Sequence, residues 1–183
     1  MSFWRICKIA SSSLRWLPSP LFRLLWRMLD VFDGRMGAML RYILIASRFN
    51  ACGRNVYLGP FITIDSPPNV SVGNNVSIHQ NVTILSAGGV VIGNDVAIAH
   101  GSSIVSGDHT WDSLSLPIKY NQVRLSRVEI EDDVWIGCGV RILSGVNIGR
   151  RTVIAAGAVV VTDCQGGAVY GGVPAKRIKK INE

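Results

Sequence analysis

The chain has 183 residues, of which 48% are hydrophobic and 17% are charged, and its formal net charge is +7. This composition excludes a disordered chain, because it provides enough apolar side chains to build a core. Six of the seven excess positive charges lie within residues 1–48, so the remainder is nearly neutral and no basic surface for nucleic acid is expected.

Residues 1–49 are predicted to form a basic, amphipathic helical segment. Ser19–Pro20 is typical of a helix start, because serine caps the helix and proline suits its first position. Gly34 and Gly37 are expected to separate this helix from a second one at about residues 39–49. The apolar side chains of the first helix fall on one face: Leu21, Leu24, Leu25, Met28 and Phe32.

Two interpretations of this segment remain open. The helices either cap the N-terminal end of the domain or join subunits, and we favour capping for residues 39–49. Residues 1–33 favour peripheral contact with an anionic membrane, because Trp4, Trp16 and Trp26 alternate with arginines. No charge-free run is long enough to span a bilayer, and a secretory signal is not expected. The inner face of the cytoplasmic membrane is therefore the expected location.

A repeat of six residues organises residues 50–165. Branched apolar residues stand at every sixth position near the end: Ile130, Ile136, Ile142, Ile148, Ile154 and Val160. A period of six fits neither an α-helix nor a hairpin array, but it fits one short strand and one tight turn per repeat, as in a parallel β-helix. The series continues upstream through Leu58, Ile64, Val72, Ile78, Ile84, Ile92, Ile98 and Ile104. Two longer steps contain Pro67–Pro68 and Gly88–Gly89, which predict bulged corners.

One large break interrupts the repeat between Ile104 and Ile130. The chain leaves the coil over residues 106–127, and loops on a rigid scaffold commonly carry function. This excursion contains His109, with Asp108 beside it and Asp112 three positions later. After the last repeat, residues 166–183 are predicted to form a turn and a short basic C-terminal helix.

The four cysteines are scattered through the chain: Cys7, Cys52, Cys138 and Cys164. They form no CxxC pair and no spacing typical of zinc. This pattern predicts free thiols and a protein that works in a reducing cytoplasm.

Three motifs carry a family resemblance: Asp133–Gly137 (DVWIG), Ile154–Val159 (IAAGAV) and Gly171–Lys176 (GGVPAK). Together with the repeats, these motifs resemble the hexapeptide-repeat acyltransferases. Within that family, the resemblance is greatest to the maltose and galactoside acetyltransferase branch. The most similar members are the O-acetyltransferases of exopolysaccharide and lipopolysaccharide pathways, such as the colanic acid acetyltransferases. The resemblance implies an all-β fold, a left-handed parallel β-helix. It also implies a homotrimer with sites between copies, acetyl-CoA as donor, a sugar or lipid-linked glycan acceptor, and no metal.

The resemblance also assigns roles to single residues. His109 matches the general base, and Asp112 and Asp108 are the candidates for the carboxylate that orients it. Asn81 and Trp135 match residues at the acceptor and acyl path. Relatives commonly carry a CoA-binding lysine where Thr162 stands, so other basic residues are expected at the CoA phosphates. The expected CoA contacts are Cys138, Ala156, Gly157, Arg151, Lys176 and Arg177.

Three other functions remain as alternatives. An N-acetyltransferase acting on an amino sugar or serine keeps the chemistry and changes the acceptor. A γ-class carbonic anhydrase uses three histidines around zinc, but His79, His100 and His109 are 21 and 9 residues apart, which does not reproduce that pattern. A non-catalytic β-helix scaffold leaves the histidine-bearing excursion unexplained.

Overall fold

The computed structural model describes residues 3–181, and its side chains from residue 6 onward, so Trp4 lies outside the described side chains. Three α-helices come first: α1 (Phe3–Ser13), α2 (Ser19–Met28) and α3 (Gly34–Ile45). Short 3₁₀ turns follow α2 and interrupt the later chain at Leu29–Val31, Pro67–Asn69 and Ile118–Tyr120. Among the described helices, none combines the length and apolar character needed to cross a bilayer.

Nineteen short strands lie within the described residues. In chain order they are β1 (Ala51–Cys52), β2 (Tyr57–Leu58), β3 (Thr63–Ile64), β4 (Val70–Val72), β5 (Ser77–Ile78), β6 (Thr83–Leu85), β7 (Val90–Ile92), β8 (Ala97–Ile98), β9 (Ser103–Val105), β10 (Gly107–His109), β11 (Val123–Leu125), β12 (Val128–Ile130), β13 (Trp135–Ile136), β14 (Arg141–Ile142), β15 (Asn147–Ile148), β16 (Val153–Ile154), β17 (Val159–Val160), β18 (Ala168–Gly171) and β19 (Lys176–Lys180).

Seventeen of these strands stack into three sheets that form the faces of a prism, and β10 and β11 form a separate two-stranded sheet. Face A has the order β1-β4-β7-β12-β15, face B the order β2-β5-β8-β13-β16-β18-β19, and face C the order β3-β6-β9-β14-β17. Pairing is parallel within each face except between β18 and β19. The chain therefore visits A, B and C in turn, and its corners are named A–B, B–C and C–A here.

The prism interior confirms the six-residue repeat. Every predicted inward residue is buried, with at most 3% of its surface exposed, except Ile64. Parallel register places like residues in contact: Ile136 lies between Ile98 and Ile154. Ile64 is half-buried because it borders a pocket beside the N-terminal helices.

Polar ladders satisfy the backbone at the A–B corner. The Asn74 Oδ1 accepts from the Arg54 amide, the Asn94 Oδ1 from the Asn74 amide and the Asp132 Oδ1 from the Asn94 amide, at 2.6–2.9 Å. Asn55 and the equivalent residues of later coils adopt positive φ, which asparagine and aspartate tolerate best after glycine. Each coil thus fixes the turn of the next.

The N-terminal helices close one end of the prism. Arg41 of α3 is fully buried, and its guanidinium donates to the carbonyls of Leu58, Leu29 and Phe32 at 2.6–2.9 Å. The Trp26 indole donates to the Ile62 carbonyl at 3.0 Å. Buried donors need acceptors, so these bonds fix α2 and α3 to the first coil.

Helix α2 begins at Ser19, as predicted, but the predicted serine cap is wrong, because Pro18 occupies the cap position and no side chain caps the helix. The predicted break at Gly34 and Gly37 is wrong as well. Both glycines belong to α3, which begins at Gly34 rather than near residue 39. A Cβ on Gly37 would lie 1.9 Å from the Phe32 carbonyl oxygen. Gly37 is therefore a point of close packing inside the helix.

The predicted C-terminal helix is also wrong. Lys176–Lys180 forms β19, which pairs antiparallel with β18 at the edge of face B. A helix of so few residues gains few hydrogen bonds of its own, whereas an extended segment completes the ladder of an existing strand. Because β18 also pairs with β16, the solenoid continues past the predicted boundary at residue 165.

Candidate active site

The excursion leaves the prism at the C–A corner, between β9 and β12. Its two arms, β10 and β11, form an antiparallel ribbon in which His109 lies opposite Val123. Ser106 fastens the base of the ribbon, because its buried hydroxyl accepts from the Gly88 amide and donates to the Leu85 carbonyl, both at 2.9 Å. His109 therefore stands on a rigid support.

The imidazole of His109 is exposed, and no side chain among the described residues hydrogen-bonds to it. Asp108 instead accepts from the Ser144 hydroxyl, and Asp112 lies 3.9 Å from Arg124. The role of Asp112 as the orienting carboxylate stays a prediction. Ser144 escaped the sequence analysis because it is 36 residues from Asp108; its position at the C–A corner one coil later was the available signal.

The tip of the excursion is organised by one buried amide. The Asn121 side chain accepts from the Ser113 amide at 3.0 Å and donates to the Leu116 and Pro117 carbonyls. Around it lies an exposed apolar surface: Trp111, Leu114, Leu116, Ile118, Tyr120, Val123 and Leu125. So many exposed apolar side chains on one excursion favour an interaction surface.

The B–C corner is a second candidate region, and it is lined by backbone and small side chains. Gly101, Gly139 and Gly157 adopt positive φ, and a Cβ on any of them would meet no atom within 4 Å. Asn81 occupies the equivalent position one coil before Gly101 and is exposed. The corner is therefore an unobstructed edge of the prism, called the B–C groove below because a slender ligand such as a pantetheine arm can lie along it.

Several backbone amides remain available along this corner, those of Cys138 and Ala156 among them. The Gly139 and Gly157 amides bond to carbonyls of neighbouring coils at 2.8–3.0 Å. No described residue accepts from the amides of Cys138 and Ala156. Unused amide donors in a row suit an acyl oxygen or an amide of a bound ligand.

The remaining predicted contacts lie at different distances from the groove. Trp135 is 56% exposed on face B. Lys176 pairs with Gly171 and Arg177 with Tyr170, which places both basic residues at the last strands of the same face. Arg151 lies at the A–B corner and pairs with Asp133 at 3.0 Å, away from the groove.

Within one chain, the predicted base and the residues of the B–C groove therefore occupy different corners. His109 and Asp112 extend from the C–A corner, whereas Asn81, Cys138, Ala156 and Gly157 lie along the B–C corner. No contact within the described residues joins the two groups. Their roles stay predictions.

The other histidines also lie away from His109. His79 and His100 lie in the B–C turns that follow β5 and β8, and the His79 ring lies 5.6 Å from the Tyr57 ring. Residues 3–181 contain no group of three histidine, cysteine or acidic side chains placed to hold a metal.

All four cysteines are free, as predicted. Burial raises the pKa of Cys164 to about 11 and that of Cys52 to about 12. Cys138, in the groove, is half-buried. The buried thiols are structural, because a protonated thiol is a poor nucleophile.

Known proteins share this architecture. A family model described as bacterial transferase hexapeptide (six repeats) matches residues 127–162. The structure of a maltose O-acetyltransferase from Clostridium difficile 630 superposes with a TM-score of 0.80 at 30% identity, covering 90% of this chain and 86% of that one. A galactoside acetyltransferase solved with coenzyme A gives 0.76 at 30% identity, covering 89% and 82%.

Similarity to curated proteins by sequence covers a shorter part of the chain. A 2,3,4,5-tetrahydropyridine-2,6-dicarboxylate N-acetyltransferase of Clostridium perfringens is 56% identical over 54 residues, which is 30% of this chain and 23% of that protein. A hexapeptide-repeat acetyltransferase from Vibrio cholerae, solved with acetyl coenzyme A, is 26% identical over 93% of this chain and 88% of its own, with a TM-score of 0.78. Given its repeats, its left-handed parallel β-helix and its similarity along most of two sugar acetyltransferases, the chain belongs to the hexapeptide-repeat acetyltransferase family.

Proposed function

We propose that the protein is an acetyl-CoA-dependent O-acetyltransferase that acts on a sugar hydroxyl, with His109 as general base. The observation that carries this proposal is the exposed imidazole on a rigid ribbon, with all its hydrogen-bonding capacity left for a substrate. The structural similarity to maltose and galactoside acetyltransferases supports a sugar acceptor.

Acetyl-CoA supplies an acyl group that is already activated as a thioester. The chain has to remove a proton from the acceptor hydroxyl. His109 takes this proton as the oxygen bonds to the acyl carbon, and it returns the proton to the sulfur as the carbon–sulfur bond breaks. General-base catalysis of this kind contributes about 10²–10⁴-fold.

The B–C groove provides the rest of the proposed chemistry. The amides of Cys138 and Ala156 are placed to bind the acyl oxygen or the pantetheine, and one oxyanion donor is worth roughly 3–4 kcal/mol in known enzymes. Trp135 covers part of the path. Lys176 and Arg177 are the nearest candidates for the CoA phosphates.

A homotrimer completes this proposal. His109 and the groove lie on different corners of one chain, so a neighbouring copy is required to bring them together. The exposed apolar tip around Leu114 supports such a contact, because burial in an interface removes that surface from water.

The proposed function has a second component, which is peripheral contact with the membrane. Such contact is consistent with a role in exopolysaccharide or lipopolysaccharide synthesis at the cytoplasmic face. Large apolar side chains on the N-terminal helices and the turn after them are exposed: Ile6, Ile9, Trp16, Leu24, Met28, Val31, Phe32 and Met36. Exposed arginines alternate with them at Arg15, Arg23 and Arg27. Apolar insertion combined with basic charge is the requirement for binding an anionic bilayer.

A flotation assay tests the membrane component. Deleting residues 1–33 is unsuitable, because Trp26 and Asp30 bond to the first coil. A triple serine substitution of Trp16, Leu24 and Met28 is expected to abolish flotation with phosphatidylglycerol vesicles, whereas Trp111→Ser keeps it. Equal flotation of both variants would remove this component.

Substitution of His109 tests the catalytic proposal. Both His109→Ala and His109→Gln are expected to lower acetyl transfer from acetyl-CoA by at least about 100-fold, because neither side chain accepts the proton. Folding and the affinity for acetyl-CoA stay unchanged, and Lys119→Ala on the same excursion is the control. Activity of His109→Ala close to that of the wild type contradicts the assignment.

An amine acceptor is the alternative that a specific observation favours. A segment of 54–58 residues matches N-acetyltransferases at 52–56% identity. Product analysis separates the two, since an ester is cleaved by mild hydroxylamine and an amide is not.

A further inference from the structure

A pocket of about 670 Å³ lies between the N-terminal helices and the first coils, apart from the groove and from His109. Three arginines from different elements line it: Arg15 after α1, Arg23 in α2 and Arg48 after α3. Phe22 and Ile64 provide apolar walls. Nothing in the sequence repeat predicts that these arginines meet.

The pocket has a large excess of positive charge. None of the three arginines forms an ion pair with a carboxylate among the described side chains. The acid that lines the pocket, Asp65, accepts hydrogen bonds from the Ser86 amide at 2.7 Å and the Ser86 hydroxyl at 3.0 Å. Three guanidinium groups therefore share one carboxylate that is already engaged.

Arg48 shows most clearly that an acceptor is missing. Its Nη2 donates to the Leu17 carbonyl and its guanidinium stacks 4.2 Å from the centre of the Phe22 ring, but its buried Nε has no acceptor among the described residues. The buried hydroxyl of Ser47 also lacks a partner. Burial lowers the pKa of Arg48, so an anion in this pocket would stabilise the charged side chain.

The start of α2 adds to this field. Ser19, its first residue, lines the pocket, and no side chain caps the first turn. The amide groups and dipole of a helix N-terminus favour an anion. Together with the arginines, this makes phosphate the ligand class that the pocket fits, because phosphate accepts several charge-assisted hydrogen bonds at once.

The pocket lies on the same edge of the prism as the excursion. Its residues Ile64 and Asp65 end β3, and β3, β6 and β9 are consecutive neighbours in face C. With about 4.8 Å between paired strands, the floor of the pocket is roughly 10 Å along the prism from the base of the excursion. A phosphate bound there leaves an attached sugar pointing along this edge.

We propose that this pocket binds the phosphate or diphosphate of a phosphate-bearing sugar, and so selects activated sugars over free ones as acceptors. The acceptor role rests on the proposed acetyltransferase function; the anion site does not. Nucleotide-linked and lipid-linked sugars share this chemistry, and the two arms of the test distinguish them.

In the first arm, inorganic pyrophosphate is titrated calorimetrically into the full chain without acetyl-CoA. The Arg15→Gln/Arg23→Gln variant is expected to bind at least about tenfold more weakly, because each exposed arginine contributes a charge-assisted hydrogen bond. The Arg35→Gln/Arg54→Gln variant loses the same charge at exposed sites elsewhere and is expected to bind within about twofold of the wild type.

In the second arm, flotation is measured with phosphatidylcholine vesicles that carry either polyprenyl phosphate or phosphatidylglycerol. A loss in the pocket variant that is clearly larger with polyprenyl phosphate than with phosphatidylglycerol identifies a lipid-linked ligand, because Arg15 and Arg23 add charge attraction to either anionic vesicle. Pyrophosphate binding alone identifies a soluble ligand. Failure of the wild type in both arms, or equal behaviour of the two double variants, overturns the proposal. His109→Ala binds normally in both arms, so a failure of the catalytic proposal is seen separately.

Discussion

The B–C and C–A corners of the prism are built from the same repeat but differ in regularity. At the B–C corner each coil turns through one left-handed residue, such as Asn81, Gly139 or Gly157. At the C–A corner the turns vary in length: Pro67–Asn69 forms a 3₁₀ turn, and the chain later leaves for the whole excursion. Both predicted bulges lie at this corner.

Under the proposed function, this difference separates binding from chemistry. A regular corner offers backbone amides and small side chains in a straight row, which suits an extended ligand. An irregular corner can carry a long insertion, and here the insertion carries His109. Because the coils continue regularly on both sides, insertions at one corner cost the prism little.

Subunit complementation tests most directly whether the two corners of different copies form one site. His109→Ala removes the base, and Ala156→Trp fills the groove without altering a left-handed residue, so each variant alone is expected to be inactive. Co-expressed trimers mix both chains. About a quarter of all sites then combine an intact His109 from one copy with an intact groove from its neighbour. Recovery to about a quarter of wild-type activity is the expected result.

Separately purified trimers, mixed without exchange of subunits, are the control and should stay inactive. If the co-expressed pair also stays inactive, both halves of the site belong to one chain. The proposed arrangement between copies is then wrong, whatever the role of His109.

Stability separates the regular coil from the excursion. Ile136 is fully buried between its neighbours in face B, so Ile136→Ala is expected to lower the free energy of unfolding by about 2–5 kcal/mol. Leu114, at the tip of the excursion, is fully exposed in the single chain. Leu114→Ala is expected to change the stability of the isolated chain by less than about 0.5 kcal/mol.

Denaturant unfolding at low protein concentration measures both variants. If Leu114→Ala costs as much as Ile136→Ala, the excursion is part of the core. A cost that appears only at high protein concentration places Leu114 in the contact between copies instead.

The sequence predicted the coil well because one physical rule repeats in it. A branched side chain must point inward once per face, and Ile130 to Val160 obey this without an exception. The rule makes no prediction for a segment that contacts another segment only once, without a repeating pattern. Neither the pairing of Lys176–Lys180 with β18 nor the packing of Gly37 on Phe32 has a periodic signal.

The sequence indicated candidate site residues one by one but not their assembly, and their roles stay predictions. His109 was identified from its place in the break and its family motif, whereas Ser144 and Arg48 act through contacts between distant segments. A period of six also does not say which corners meet in another copy. This information is a property of two surfaces, and no local pattern in one chain encodes it.

Thiol reactivity provides the finest test of the groove. Cys138 lies half-buried at the B–C corner, whereas Cys164 is buried with its pKa raised to about 11. At pH 8 iodoacetamide is expected to label Cys138 first, and acetyl-CoA is expected to slow this labelling several-fold by covering the groove. Cys138→Ser should remove the fast phase, and fast labelling of Cys164 instead would contradict the structure.

The same thiols predict a stability change at alkaline pH. Burial favours the protonated form of Cys164, so its folded-state pKa lies above the value of about 8.5 in an unfolded chain. The stabilisation is complete below that unfolded value and is lost as the pH rises through about 11. Denaturant unfolding of wild type and Cys164→Ala from pH 8 to 11 is expected to show a steeper decline for the wild type. If the stability of the two proteins declines in parallel, ionisation of the Cys164 thiol is not coupled to unfolding. The labelling experiment on Cys138 does not depend on this outcome.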